Sequence, residues 1–279
     1  MTTTLRPTGP LQHEADGAQS RTFVVCVNSR PVGSVEIATL PALGPRAGTV
    51  RSLGIDDADR RRGRGTVAAL AAEEVLRCWG CSQVTVSVPP EAVEATRLTV
   101  ALGYTERSRN MLKTLAAEPP ALPEGVEARP MTEPEFRTWW DVQHEDYVTS
   151  WSERGLSVAE ARAKANADRR RSLPEGLATP GVRLEVLVRQ GEVVGHLFVG
   201  RREVRPGEEG AFVYDVAVAE AHRGQGHGRS LMLRAEQGAL ESGKRLLGLH
   251  VFAGNAPALG LYTSLGYETT GVNFTKPLL

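Results

Sequence analysis

Cysteine is scarce in this 279-residue sequence: there are three, Cys26, Cys78 and Cys81, all in the first third. An odd number so placed argues against a disulfide framework and points to a reducing, cytoplasmic setting. It also excludes a cysteine-acyl intermediate in the C-terminal half. No apolar run approaches the ~18–20 residues that cross a bilayer, so no membrane association is expected. Residues 1–10 contain no apolar stretch, so no secretory signal is expected either. Charge of one sign is lacking too. Lys plus Arg number 33 and Asp plus Glu number 33, which argues against a nucleic-acid partner. With 41% hydrophobic and 24% charged residues, the composition is that of an ordinary globular protein. At roughly 100–200 residues per domain, the length suggests two domains.

Periodicity supplies the coarse organisation. Residues 1–20 are polar and read as loose. Strand patterns follow at Arg21–Val27, Val32–Ala38 and Thr49–Ile55. Gly65 to Cys78 reads as a helix with Val67, Leu70, Ala71, Val75 and Leu76 on its core face, capped by Gly80. Gln83–Val88 alternates like a strand. Ala116–Gly125, with three prolines, is the linker candidate. Beyond it come helices at Pro134–Ser150 and Ser157–Ser172, and strands at Arg183–Arg189, Val193–Arg201 and Ala211–Val218. A helix over Gly228–Glu241, a strand over Arg245–Phe252, a short helix near Ala256–Leu265 and a last extended run complete the chain.

The sequence repeats itself at an offset of 163 residues. Arg60–Gly65 lies over Arg223–Gly228, and without a gap Leu102-Gly103-Tyr104 lies over Leu265-Gly266-Tyr267. Asn110 and Lys113 lie over Asn273 and Lys276. From Arg60 to Lys113, 15 of 54 positions are identical, where chance gives about three or four, so one unit has been duplicated. The copies are unequal. Between Val126 and Leu184 lie 57 residues, but between the matching Leu5 and Phe23 only 17, which leaves no room for two helices.

Both copies carry R-x-x-G-x-G between a strand and a helix. A helix start offers unpaired N–H groups and the positive end of its dipole, and glycine lets a phosphate approach the backbone. A pyrophosphate suits such a loop. It is neither a Walker loop nor the dinucleotide fingerprint. Cys78-x-x-Cys81 has zinc or redox spacing, but no second pair is near, so no metal is expected.

Taken with Val216-Ala217-Val218, Asn255 and Leu261-Tyr262-x-x-Leu265-Gly266-Tyr267, the loop resembles the GNAT superfamily of acyl-CoA-dependent N-acetyltransferases. The tandem arrangement is similar to that of mycothiol synthase. The resemblance implies an α/β fold of two tandem GNAT domains, each a twisted mixed sheet flanked by helices. Residues 1–118 would be a reduced, degenerate copy, 119–125 the linker and 126–279 the complete catalytic domain.

The resemblance also assigns roles. Acetyl-CoA would be the co-substrate. Backbone groups of Val216 and Val218 would hold its pantetheine arm and polarise the thioester carbonyl. Arg223, Gly224, Gln225, Gly226, His227 and Gly228 would cradle the pyrophosphate, with Arg229 and Ser230 adding contacts, and the CoA 3′-phosphate would account for the arginines of Arg60–Arg64. Asn255 would bond the cofactor arm, and Tyr262 would protonate the departing thiolate. In the first copy Tyr262 faces Thr99, Asn255 faces Ala92 and Asp215 faces Ser52, so that copy is expected not to catalyse; its role would be structural or cofactor-binding.

Asp215 is the leading candidate for the general base, with Tyr214, His196, His250 and an ordered water as alternatives. The acceptor is expected to be the amine of a small molecule, with a protein or peptide amine as the alternative. A non-catalytic acyl-CoA-binding or regulatory protein is the competing class, and a homodimer is one assembly open to it. Residues 133–172 would set the acceptor's identity. There Trp139, Trp140, Tyr147 and Trp151 alternate with Asp141, His144, Glu145, Asp146 and Glu153. They form either a core face or a pocket for a cationic amine.

Overall fold

The computed structural model describes residues 3–153 and 155–278. The N-terminal segment expected to be loose is partly ordered into sheet. Strands β1 (Thr3–Pro7) and β2 (Gln12–His13) both pair with β3 (Gln19–Val27), and Leu5 opposite Val25 joins the core. A hairpin partner satisfies the backbone of a segment too polar to announce itself by hydropathy. Then come β4 (Arg30–Thr39), β5 (Ala47–Ile55), α1 (Arg64–Cys78), β6 (Gln83–Val88), α2 (Val93–Ala101) and β7 (Thr105–Thr114). The second copy adds β8 (Val126–Pro130), α3 (Glu133–Glu153), α4 (Val158–Ser172), β9 (Arg183–Arg189), β10 (Glu192–Arg205) and β11 (Glu208–Val218). It continues with α5 (His227–Glu241), β12 (Leu246–Phe252), α6 (Ala256–Ser264) and β13 (Glu268–Pro277).

The chain forms two compact units. One takes the residues up to Arg107, Thr149–Ala161 and the residues from Gly271 on; the other takes Ser108–Val148 and Arg162–Thr270. The first holds the strand order β1-β3-β4-β5-β6-β13, and the second β8-β9-β10-β11-β12-β7. The orders correspond strand for strand, but each unit receives its last strand from the other copy. β13 lies antiparallel to β6, and β7 antiparallel to β12.

One lysine on each donated strand marks the exchange. Lys113 Nζ lies 2.7 Å from Glu236 Oε1 on α5 and 5.6 Å from the centre of the Tyr267 ring. Lys276 Nζ lies 2.7 Å from Glu73 Oε2 on α1 and 5.4 Å from the Tyr104 ring. Both glutamates are buried, so each lysine neutralises a charge that would be costly alone.

Helix α1 turns inward a face rotated from the one expected: Leu76 is buried and Val75 packs on the core as expected, but Val67 and Leu70 are exposed and Ala68 and Ala72 are buried in their stead. Alanines let the helix lie close on the sheet, which decides the packing over side-chain size. Its end is as expected: Gly80 has φ 84°, and the Cys81 amide donates to the Leu76 carbonyl.

Candidate active site

In the second unit β11 and β12 run parallel, but their pairing covers only Ala211–Val213 against Leu247–Leu249. Beyond it β11 stays paired with β10 alone, through a bulge that leaves Tyr214 without an opposite residue. The residues 214–218 therefore present a backbone edge with no β12 partner, next to the glycine loop. A bulge of this kind bends its strand and re-aims the side chains after it. The first unit repeats the arrangement: β5 and β6 pair only over Ala47–Thr49, and Arg51 is the bulged residue.

The loop is shaped by its glycines. Gly224 has φ 77° and Gly226 φ 86°, a region that favours glycine. Arg223 Nε lies 3.4 Å from the Val218 carbonyl oxygen, tying the loop to the end of β11. The amides of Arg229 and Ser230 both donate to the Gly226 carbonyl, and those before them have no preceding turn to accept them. Gly228 lets α6 approach: a Cβ there would meet Leu261 Cδ2 at 3.2 Å. Backbone edge, glycines and helix start together fit a long phosphate-bearing ligand such as acetyl-CoA.

Not every loop side chain faces outward. His227 and Ser230 are buried, and burial, with Arg189 and His222 nearby, holds the His227 pKa below its ordinary value. Arg229 Nη2 donates to Ser264 Oγ at 2.6 Å. Asn255 caps α6, its Oδ1 accepting the Ala258 amide at 3.2 Å.

Two faces of the sheet divide the remaining groups. Val216 and Val218 pack toward the core that contains Leu231 of α5 and Tyr262 of α6. Asp215, one residue out of phase, turns to α3. Its Oδ2 accepts Trp139 Nε1 at 2.8 Å and Gln143 Nε2 at 3.0 Å, and lies 2.9 Å from His196 Nε2. Burial pushes this carboxyl up, but the hydrogen bonds from His196 and Trp139, the His196 charge and the Val216 amide outweigh it and hold the carboxyl below its ordinary range. Tyr262 is 7% exposed. Burial and the nearby Asp215 charge raise its phenol, which keeps it protonated.

Gln143, missed in sequence, stands four residues after Trp139 on α3, the i, i+4 spacing of a shared helix face. Of the other candidate bases, the Tyr214 hydroxyl donates to the Arg201 carbonyl at 3.1 Å. His250 Nδ1 lies 2.9 Å from Oδ1 of Asn110, a residue of the donated β7.

The aromatic segment of α3 is a core face, not a cation pocket. Trp139 and Trp151 are buried. Trp140 is covered by Arg169, whose guanidinium carbon lies 4.6 Å from its ring centre. The Tyr147 hydroxyl bonds Asp168, while Asp141 and Glu145 are exposed.

The first copy keeps a cleft of about 850 Å³, lined by Leu53, Ile55, Arg60, Gly63, Gly65 and Thr99 among others. Its Thr99 hydroxyl donates back to the Ala95 carbonyl at 2.8 Å. Gly63 has φ 71° like Gly226, and Arg61 has φ 59° where Gly224 stands in the second copy.

The family model for the acetyltransferase (GNAT) family matches residues 3–104 and again 136–267. An uncharacterized N-acetyltransferase of Bacillus subtilis (strain 168), YycN, is 32% identical over 53% of this chain and 96% of its own. A mycothiol acetyltransferase of Saccharomonospora viridis is 28% identical over 95% of this chain and 86% of its own. Among solved structures, a GCN5-related N-acetyltransferase from Sphaerobacter thermophilus gives a TM-score of 0.57 at 21% identity, covering 92% of this chain and 80% of that one. A tandem GNAT protein from the clavulanic acid biosynthesis pathway gives 0.51 at 20% identity, covering 96% and 85%. The repeat, the doubled strand order and the two family matches make this chain a member of the GNAT family of N-acetyltransferases, with two of its domains in tandem.

Proposed function

We propose that the second unit transfers an acetyl group from acetyl-CoA directly to the primary amine of a small molecule. The observation that carries this is the placing of buried Tyr262 on one face, and of Asp215 with its bonds to Trp139, Gln143 and His196 on the other, beside the open edge of β11. Acetyl-CoA supplies the thioester. Residues 223–228 hold its pyrophosphate, and the edge amide at Val218 stabilises the tetrahedral oxyanion, the Val216 amide being engaged by the Asp215 carboxylate. As the N–C bond forms and the C–S bond breaks, Tyr262 gives its proton to the sulfur, and a base on the α3 face takes the proton of the amine. The similarity to mycothiol acetyltransferases over nearly the whole chain supports a small acceptor.

The first copy has a cleft but no phenol in the place of Tyr262. It serves as a structural or cofactor-binding partner. Acetyl-CoA mixed with a panel of primary amines, a polyamine, an amino sugar and an amino acid among them, should release free thiol with at least one of them. Absence of turnover with every amine, together with absence of acetyl-CoA binding, contradicts the proposal.

A further inference from the structure

The geometry points to His196 as the group that takes the acceptor's proton, with Asp215 acting through it as a positioning residue. This rests on the acetyltransferase reading and assigns its base. The Asp215 carboxylate is already engaged from several sides. Its Oδ2 accepts from Trp139 and Gln143 and faces His196 Nε2, and the Val216 amide supplies a further bond. An ionised carboxyl only accepts, so the imidazole nitrogen facing it is the one that carries hydrogen. That fixes the tautomer: Nε2 donates to Asp215, and Nδ1 keeps its lone pair.

His196 stands on β10 opposite Ala217, between Val216 and Val218. Its side chain is 28% exposed, so a ligand can reach it. Asp215 comes from β11; α3 presents the neutral donors Trp139 and Gln143 to that carboxylate; Val186 is the residue opposite on β9; and Tyr262 of α6 senses the Asp215 charge.

The step balances. Nδ1 of neutral His196 accepts the proton lost as the amine nitrogen bonds the acyl carbon. The positive charge that develops lies against the Asp215 anion, and Tyr262 supplies the separate proton that leaves on the thiol. The repeat carries an internal control. His196 lies opposite Ala217, and the matching place opposite Gly54 holds Ser34, while the position matching Asp215 is Ser52. The dyad is therefore absent from the copy that also lacks the phenol.

The test uses the full chain, acetyl-CoA and whichever amine of the panel is turned over. His196→Ala should lower kcat about 10²–10⁴-fold and leave acetyl-CoA affinity unchanged. Added imidazole should restore part of the rate. In ¹⁵N spectra of the resting protein, His196 should be the Nε2–H tautomer, and Asp215→Asn should disturb it. A His196→Ala enzyme that retains its rate overturns the assignment while leaving the acetyltransferase reading intact. So does the Nδ1–H tautomer. A parent protein that neither binds acetyl-CoA nor turns over any amine overturns both.

Discussion

At the residue scale, the contrast between the copies is what isolates Tyr262. Thr99 occupies the matching place with its hydroxyl spent on the Ala95 carbonyl, so the phenol is not a requirement of the fold. Replacing Tyr262 by Phe keeps the ring in its buried setting and removes only the proton. The expected result is a kcat lowered about 10²–10⁴-fold with acetyl-CoA affinity unchanged, read by steady-state kinetics and calorimetry. The sign of the pH effect follows from the raised phenol. An acid must be protonated to act, so on the basic side activity in the parent falls only as pH rises above the ordinary phenol range. Tyr262 and the loop could be singled out in sequence because their motifs resemble those of the GNAT family, and the duplication sets each beside its altered counterpart. The Trp139, Gln143 and His196 set around Asp215 was not, because these residues are far apart in the chain and meet only once α3 lies on the sheet.

At the scale of elements, α3 is held at its start by reciprocal bonds. The Glu135 carboxylate accepts from the amide and the hydroxyl of Thr132, at 2.8 and 2.9 Å, and the Glu135 amide lies 3.5 Å from Thr132 Oγ1. This capping box aims the helix that carries Trp139 and Gln143. Thr132→Ala should cost about 1 kcal/mol in denaturant titration. The hydrogen bond from Arg129, with the Thr132 bonds, lowers the Glu135 carboxyl to about 2 against the burial that raises it. Its folded value lies below the unfolded one of ~4.3, so its stabilisation is complete above that value and is lost as pH falls toward about 2. Thr132→Ala should therefore matter less in strong acid.

The exchange of β7 and β13 is also a feature of elements, and the sequence could not reveal it. Asn110 and Lys113 repeat as Asn273 and Lys276, so either strand offers much the same pattern to either partner. The buried Glu236 depends on Lys113 from the other copy. Lys113→Met should destabilise by about 3 kcal/mol in denaturant titration, and Lys113→Met with Glu236→Met should be less destabilised than the single change.

At the scale of the whole molecule, the duplication and fold class are legible because glycines, arginines and the Leu-Gly-Tyr ends recur in phase. The borders of the compact units are not, since each unit draws chain from both copies. A fragment of residues 126–279 would lack β7 and leave β12 with an open edge. It should aggregate, whereas a fragment of residues 105–270 should retain a far-UV spectrum of mixed structure. Equal solubility of the two would speak against the exchange.

The two copies share a loop and differ in their chemistry, so the claim on which the rest depends is that the second loop holds acetyl-CoA. Calorimetric titration of acetyl-CoA into the parent, Gly226→Trp and Gly63→Trp proteins tests it most directly. Both glycines hold positive φ, so tryptophan there combines strain with bulk at the helix start. The expected result is binding by the parent, loss of the second-unit site in Gly226→Trp, and its retention in Gly63→Trp. A parent that does not bind, or a Gly226→Trp protein that binds as the parent does, would contradict it.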